Sequence, residues 1–195
     1  MKKIGEGYYY IVYDLGNGRV LKKQKKKLRL FLFILASNWL KPRAIREYKN
    51  ALKNIPSIQA SYKEITKLVP TPRILGNPVF LEDIDYTQDK VVPLWRALKS
   101  KSEDEVKSLL EKYISFVQEL WKYGCHEMVF NFTLNHGIDN EGGVVMVDFN
   151  EVSFDKARAM EDIQNKIWLK RYSYNHLTPS IKDFYAKRME QEMTI

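Results

Sequence analysis

Glycine on both sides of one asparagine, Gly16-Asn17-Gly18, is the strongest constraint on how this chain can fold. Between two strand-like stretches such a run turns the backbone through a tight hairpin, because glycine takes the positive φ that these turns need. Upstream, Lys3 to Tyr13 reads as strand, glycine turn, strand; downstream, Arg19-Val20-Leu21-Lys22 resumes a strand. Three antiparallel strands therefore open the chain. Gly5 and Gly7 lack side chains, so the first turn is able to fold over a phosphate. Further on, Ser102-Glu103-Asp104-Glu105 is a capping box, and apolar residues from Val106 to Trp121 keep helical spacing until Gly124 ends the run. The expected fold class is α+β.

A second hairpin carries the chemistry. Asp148 follows Asn135 by thirteen positions, and between them Ile138 to Val147 reads as two short strands around the polar turn Asp139-Asn140-Glu141-Gly142-Gly143. Such a hairpin sets an amide oxygen beside a carboxylate. Hard divalent cations such as Mg²⁺ take oxygen ligands of this kind, with phosphate oxygens completing the shell.

Composition narrows the classes of function. A chain of 195 residues suffices for one ordinary domain or for two small lobes around a cleft. The lone Cys125 excludes an internal disulfide and offers no zinc-ligand spacing, which fits a reducing cytoplasm. Its thiol is expected to be buried. No signal peptide is expected, and the longest apolar run, Leu30 to Ala36, is far short of the ~20 residues that span a bilayer. The net charge of +8 suits acidic partners: nucleotide phosphates, nucleic acid or an anionic membrane surface. Much of the excess lies in Lys22-Lys23-Gln24-Lys25-Lys26-Lys27 and Arg29, a run that reads either as a solvated face or as a binding patch. A nucleic-acid-binding module is permitted by charge alone, but the aromatics fall at core spacings and no binding motif of that class is present. His126, His136 and His176 are too scattered for a metal site, and His136 is expected to be a local hydrogen bonder beside Asn135.

Several of these segments share one resemblance. Ile4-Gly5-Glu6-Gly7 followed by Ile11-Val12-Tyr13 resembles the glycine-rich loop of protein kinases and their small-molecule relatives, with Tyr10 in place of the third glycine. Val20-Leu21-Lys22 resembles the strand that supplies the phosphate-binding lysine; Lys23 takes that role if the register slips by one. In the family a glutamate on the next helix holds the lysine toward the phosphates. Pro42 is placed to open such a helix, and Glu47 is the matching residue. Pairing within its own helix, with Arg43 or Lys49, is the alternative for Glu47. Val69 to Gly76 then breaks the helix and starts a strand, with Pro78 to Asp83 as the next, and that pair resembles the last two strands of an N-lobe and its hinge. That alignment makes backbone groups from Glu82 to Ile84 the contacts for an adenine edge, and Asn135 and Asp148 the metal ligands.

The departures from the family are equally specific. Five residues before Asn135, where the family has its base aspartate, stands Phe130, followed by Asn131. Glu127, just upstream, is the substitute base. Asp148-Phe149-Asn150 replaces Asp-Phe-Gly, and only 47 residues follow Asp148, read as helices over Ala159 to Tyr174 and Ile181 to Met193. This brevity is similar to the small bacterial YrbL-type kinase-like proteins and, more loosely, to aminoglycoside and lipopolysaccharide kinases. The resemblance implies an N-lobe over 1–85, a shortened helical C-lobe over 86–195, and a cytoplasmic protein using ATP and Mg²⁺. It implies phosphotransfer to an unidentified small-molecule or lipid-linked acceptor. The opposing reading is a pseudokinase scaffold that engages a protein partner or the inner membrane surface through Lys22 to Leu40. Within that stretch, Leu28 to Leu40 reads either as a buried element or as an exposed apolar patch.

Overall fold

A computed structural model describes residues 1–38, 41, 43–128, 130–149 and 151–193. Pro42, the apolar pair Trp39 and Leu40, and Asn150 lie outside the described residues. The fold is α+β and divides into two compact units, Met1–Lys63 with Asn77–Lys90, and Glu64–Gly76 with Val91–Ile195.

In the first unit β1 (Lys2–Glu6), β2 (Tyr10–Asp14) and β3 (Arg19–Gln24) form the expected antiparallel meander. Gly16 and Gly18 sit at φ 80° and 78°, the left-handed geometry the hairpin needed. Two helices follow, α1 (Lys27–Ser37) and α2 (Arg43–Leu68). The sheet is then closed by β4 (Val79–Phe80) and β5 (Tyr86–Asp89) in the order β1-β2-β3-β5-β4. Pairing of β3 with β5 (Lys22 opposite Tyr86) carries this unit to Lys90, beyond the boundary expected at residue 85.

The α1 segment is half buried and half exposed. Leu30 and Ile34 pack against the small Ala44 and Ala51 of α2. Each such burial contributes roughly 1.5–3 kcal/mol. On the other face Leu28 and Leu32 are exposed. One face of α1 is thus buried and the other leaves two leucines in solvent. A second cluster joins Tyr10, Tyr62, Phe80 and Tyr86, with ring centres 5.1–5.6 Å apart. Among the described residues no helix is long and apolar enough to cross a membrane.

The second unit opens with β6 (Val92–Pro93) and α3 (Leu94–Lys99). Its backbone is α4 (Glu103–Lys122), which begins at the Ser102–Glu105 capping box and ends before Gly124 at φ 72°. After β7 (His126–Glu127), α5 (Phe132–Asn135) leads into β8 (His136–Ile138) and β9 (Val144–Met146). Then follow β10 (Val152–Ser153), α6 (Lys156–Gln164), α7 (Tyr172–Asn175) and α8 (Pro179–Glu192). The helix expected over Ala159 to Tyr174 is broken at Lys166, whose φ of 46° no helix can hold, and resumes as a 3-10 turn and the short α7.

The β8–β9 hairpin is the expected one, and its turn is locked. Asp139 accepts hydrogen bonds from the Glu141 and Gly143 amides at 3.0 and 2.7 Å, and Arg73 pairs with Asp139 at 2.8 Å. On its other edge β8 meets β6 at Gly137, where an added Cβ would run into Val91 Cγ2 and lie 3.0 Å from the Val92 carbonyl. Gly137→Ala is therefore expected to destabilise the chain by about 1–3 kcal/mol, the usual range for overpacking. Urea denaturation would show it; an unchanged midpoint would mean that Val91 moves aside freely.

Candidate functional site

The second hairpin brings Asn135 and the Asp148 segment together through the backbone. The Val147 amide donates to the Asn135 carbonyl at 2.7 Å, extending the β8–β9 ladder by one rung. Asn135 is buried, and its Nδ2 donates to Glu151 Oε2. That bond fixes the amide with Oδ1 as the remaining acceptor, the atom a hard cation would use. Glu151 is raised above its ordinary range, first by burial and also by the nearby charge of Asp148. Amide and two carboxylates thus lie in one neighbourhood, with Arg171 lowering Glu151 in opposition. Among the described residues no three or more His, Cys, Asp or Glu side chains are grouped to hold a metal. The donor set is an amide and carboxylates, which suits Mg²⁺ completed by phosphate oxygens and water.

Beneath this site the loop is pinned from below. Glu127, expected as a substitute base, is buried; its carboxyl accepts from Tyr113 Oη at 2.5 Å and from the Asn131 amide at 3.1 Å. Burial raises it to about 8, while burial lowers neighbouring His136 to about 3. At neutral pH both are uncharged, so their 3.6 Å contact is not an ion pair. Glu127 holds the loop and does not face a substrate. His136 lies edge-on between Tyr113 and Phe116, with ring centres 5.0 and 5.1 Å away.

Phe130, at the place of the family's base, is buried with φ 47° and its ring 5.9 Å from Trp168. Asn131 turns its Oδ1 inward to accept from Ser173 Oγ and Thr133 Oγ1. Neither residue is available to take a proton. The sequence reading missed Glu151, Ser173 and Arg171. Only Glu151 left a signal, a carboxylate three residues after Asp148.

The first unit places the phosphate-side candidates as follows. Lys22 lies on the buried face of β3 beside Val20, with its ammonium 5.2 Å from the centre of the Tyr86 ring, whereas Lys23 is exposed. Glu47 does not serve Lys22: its carboxylate accepts from Asn38 Nδ2 at 2.7 Å and lies 3.7 Å from Arg43 Nε, the in-helix alternative. Gly5 occupies the irregular rung of β1, where a Cβ would make only ordinary contact with Val12 at 3.7 Å. At Gly7 a Cβ would meet nothing within 4 Å. Packing requires glycine at neither position.

Glu6, between those glycines, is an unforeseen hub. It bonds Lys3 and Arg29 and lies 3.2 Å from Lys25 Nζ; the Arg29 and Lys3 hydrogen bonds lower it to about 2. Lys25, expected as one member of a solvated run, is buried with its ammonium 3.0 Å from the Phe33 ring centre. The glycine turn is tied through Glu6 to α1.

The hinge alignment is corrected, and the strand expected to start before Gly76 is instead a 3-10 turn over Pro72–Leu75. Glu82 to Ile84 form the tight turn between β4 and β5: Leu81 donates to the Asp85 carbonyl at 2.8 Å, and Asp83 sits at φ 54°. Ile84 is buried in that turn. The strand continues to Asp89 before the chain leaves the unit, so Glu82 and Ile84 are not at an interlobe connection. The chain matches no protein-family model and no curated protein.

Proposed function

We propose that this chain binds ATP with Mg²⁺ in the manner of the kinase-like proteins and transfers phosphate to a small-molecule or lipid-linked acceptor. The observation that carries the reading is the Asn135–Glu151 bond beside Asp148, set by the 2.7 Å backbone bond from Val147 to Asn135. Supporting it are the three-stranded meander, the helices after it and the two closing strands. Two glycines that packing does not require stand in the first turn, where a phosphate would approach the backbone.

In this reading Lys22 contacts phosphate, while Asn135 Oδ1 and Asp148 hold the metal and Glu151 orients Asn135. The metal, when bound, neutralises phosphate charge. Glu127 and Arg171 keep the loop in place from beneath, through the Asn131 amide and the Met128 carbonyl (3.1 Å from Arg171 Nη2). Among the described residues no side chain is set to deprotonate an acceptor, so transfer rests on positioning; general bases usually contribute ~10²–10⁴-fold. The burial of Phe130 favours, as second reading, a nucleotide-binding protein that transfers slowly or not at all.

The test is a thermal-shift titration of ATP with and without Mg²⁺, on wild type and Asp148→Ala. Stabilisation that requires Mg²⁺ and disappears in the variant is expected, about 2.7 kcal/mol at a hundredfold excess over Kd. A folded wild type unmoved by millimolar ATP and Mg²⁺ would overturn the proposal.

A further inference from the structure

A cavity of about 650 Å³ lies wholly within the second unit, lined from α3, α4, α5, α7 and the start of α8. That volume is in the range of small-molecule sites. Leu98, Val106, Leu177 and Ile181 give it apolar walls. Leu134 and Tyr172, also in its lining, are 58% and 61% exposed, apolar surface that folding leaves in water. Two of its hydroxyls are engaged with one another: Thr133 Oγ1 and Ser173 Oγ are 2.8 Å apart, and both bond Asn131.

The rim is electrically one-sided. Glu103 is paired with Lys107 at 2.7 Å and bonded by Ser180 at 2.6 Å, and Lys101 is paired with Glu105 at 2.9 Å. Lys99 and, on the same short helix, Arg96 instead flank the Trp95 ring at 4.8 and 5.2 Å. Neither has a carboxylate partner among the described residues. Uncompensated cations beside an apolar cavity complement an anion with a hydrocarbon body.

We propose that this cavity binds an amphiphilic organic anion of the medium-chain carboxylate class, its acid group at Lys99 and its chain between Leu98, Leu134 and Leu177. Asp148 is not in its lining, and the site does not depend on nucleotide. The probe is decanoate, kept below its micelle concentration and titrated calorimetrically into the full chain, with decanol as the neutral analogue. Saturable binding of decanoate, with decanol clearly weaker, is expected. Lys99→Glu should weaken it roughly tenfold or more, a free-energy change of about 1.4 kcal/mol per decade. Thr178→Trp, at an exposed cap position whose side chain makes no capping bond, should occlude the mouth and remove binding. Asp148→Ala should leave it unchanged. No binding to folded wild type, equal affinity in Lys99→Glu, decanol as tight as decanoate, or loss in Asp148→Ala would each overturn the proposal.

Discussion

Removing the Phe130 side chain is expected to cost about 3–5 kcal/mol, and alanine should be no better a replacement than glycine. The first half follows from burial: the ring is 2% exposed and packed on Trp168, and truncating a buried phenylalanine normally costs that much. The second half follows from the backbone. In most settings glycine is worse than alanine by ~0.5–1 kcal/mol, because it has more freedom to lose. Phe130 sits at φ 47°, where a Cβ itself costs roughly 1–2 kcal/mol, so glycine recovers what alanine does not. Urea unfolding of both variants decides it. Alanine more stable than glycine by ~1 kcal/mol would show that the residue is not strained. Phe130→Asp, the obvious way to install a base, meets the same packing and adds a buried charge.

Glu127→Gln is expected to flatten the alkaline side of the stability profile. Glu127 is raised from 4.5 to about 8, so between those values the folded chain keeps a proton that the unfolded chain has released. Its contribution is present below pH 4.5 and is lost as pH rises toward 8, by about 1.4 kcal/mol per pH unit. His136 acts in the opposite sense: lowered from 6.5 to about 3, its contribution is present above 6.5 and lost as pH falls toward 3. The two nearly cancel between pH 4.5 and 6.5. From pH 6.5 to 8 Glu127 acts alone, and wild type should lose ~2 kcal/mol. Glutamine has no proton to release, so the variant should hold its stability over that interval while keeping the acid limb. Parallel profiles for the two proteins would refute a protonated Glu127.

What could be read from the residues alone was whatever depends on near neighbours. The Gly16–Gly18 hairpin, the Ser102 capping box and the hairpin after Asn135 are each specified within a few positions, and each is present. The misreadings had more varied causes. Glu47 is taken by Asn38 and Arg43, which spacing could suggest but not choose. The β4–β5 turn was mistaken for a hinge because β4 is only two residues long and gives no alternation to read. Lys25 looked like one lysine in a solvated run until Glu6 and Phe33, from different elements, closed over it. Glu151 entered the site only when the fold brought its carboxylate against the amide of Asn135.

The order of strands in the first sheet has a consequence for synthesis. β3 pairs with β2 at once, but its other neighbour, β5, is made only after α1, α2 and the Glu64–Gly76 segment. At ~5–20 residues per second the nascent chain carries an open β3 edge for several seconds. A bare strand edge invites pairing with other chains, and lysines along it discourage that. Val20 and Leu21 are flanked by Arg19, Lys22 and Lys23, with Lys25 just beyond. The basic run is thus a gatekeeper for the unfinished sheet, guarding the strand on the ribosome before Tyr86 arrives to cover it.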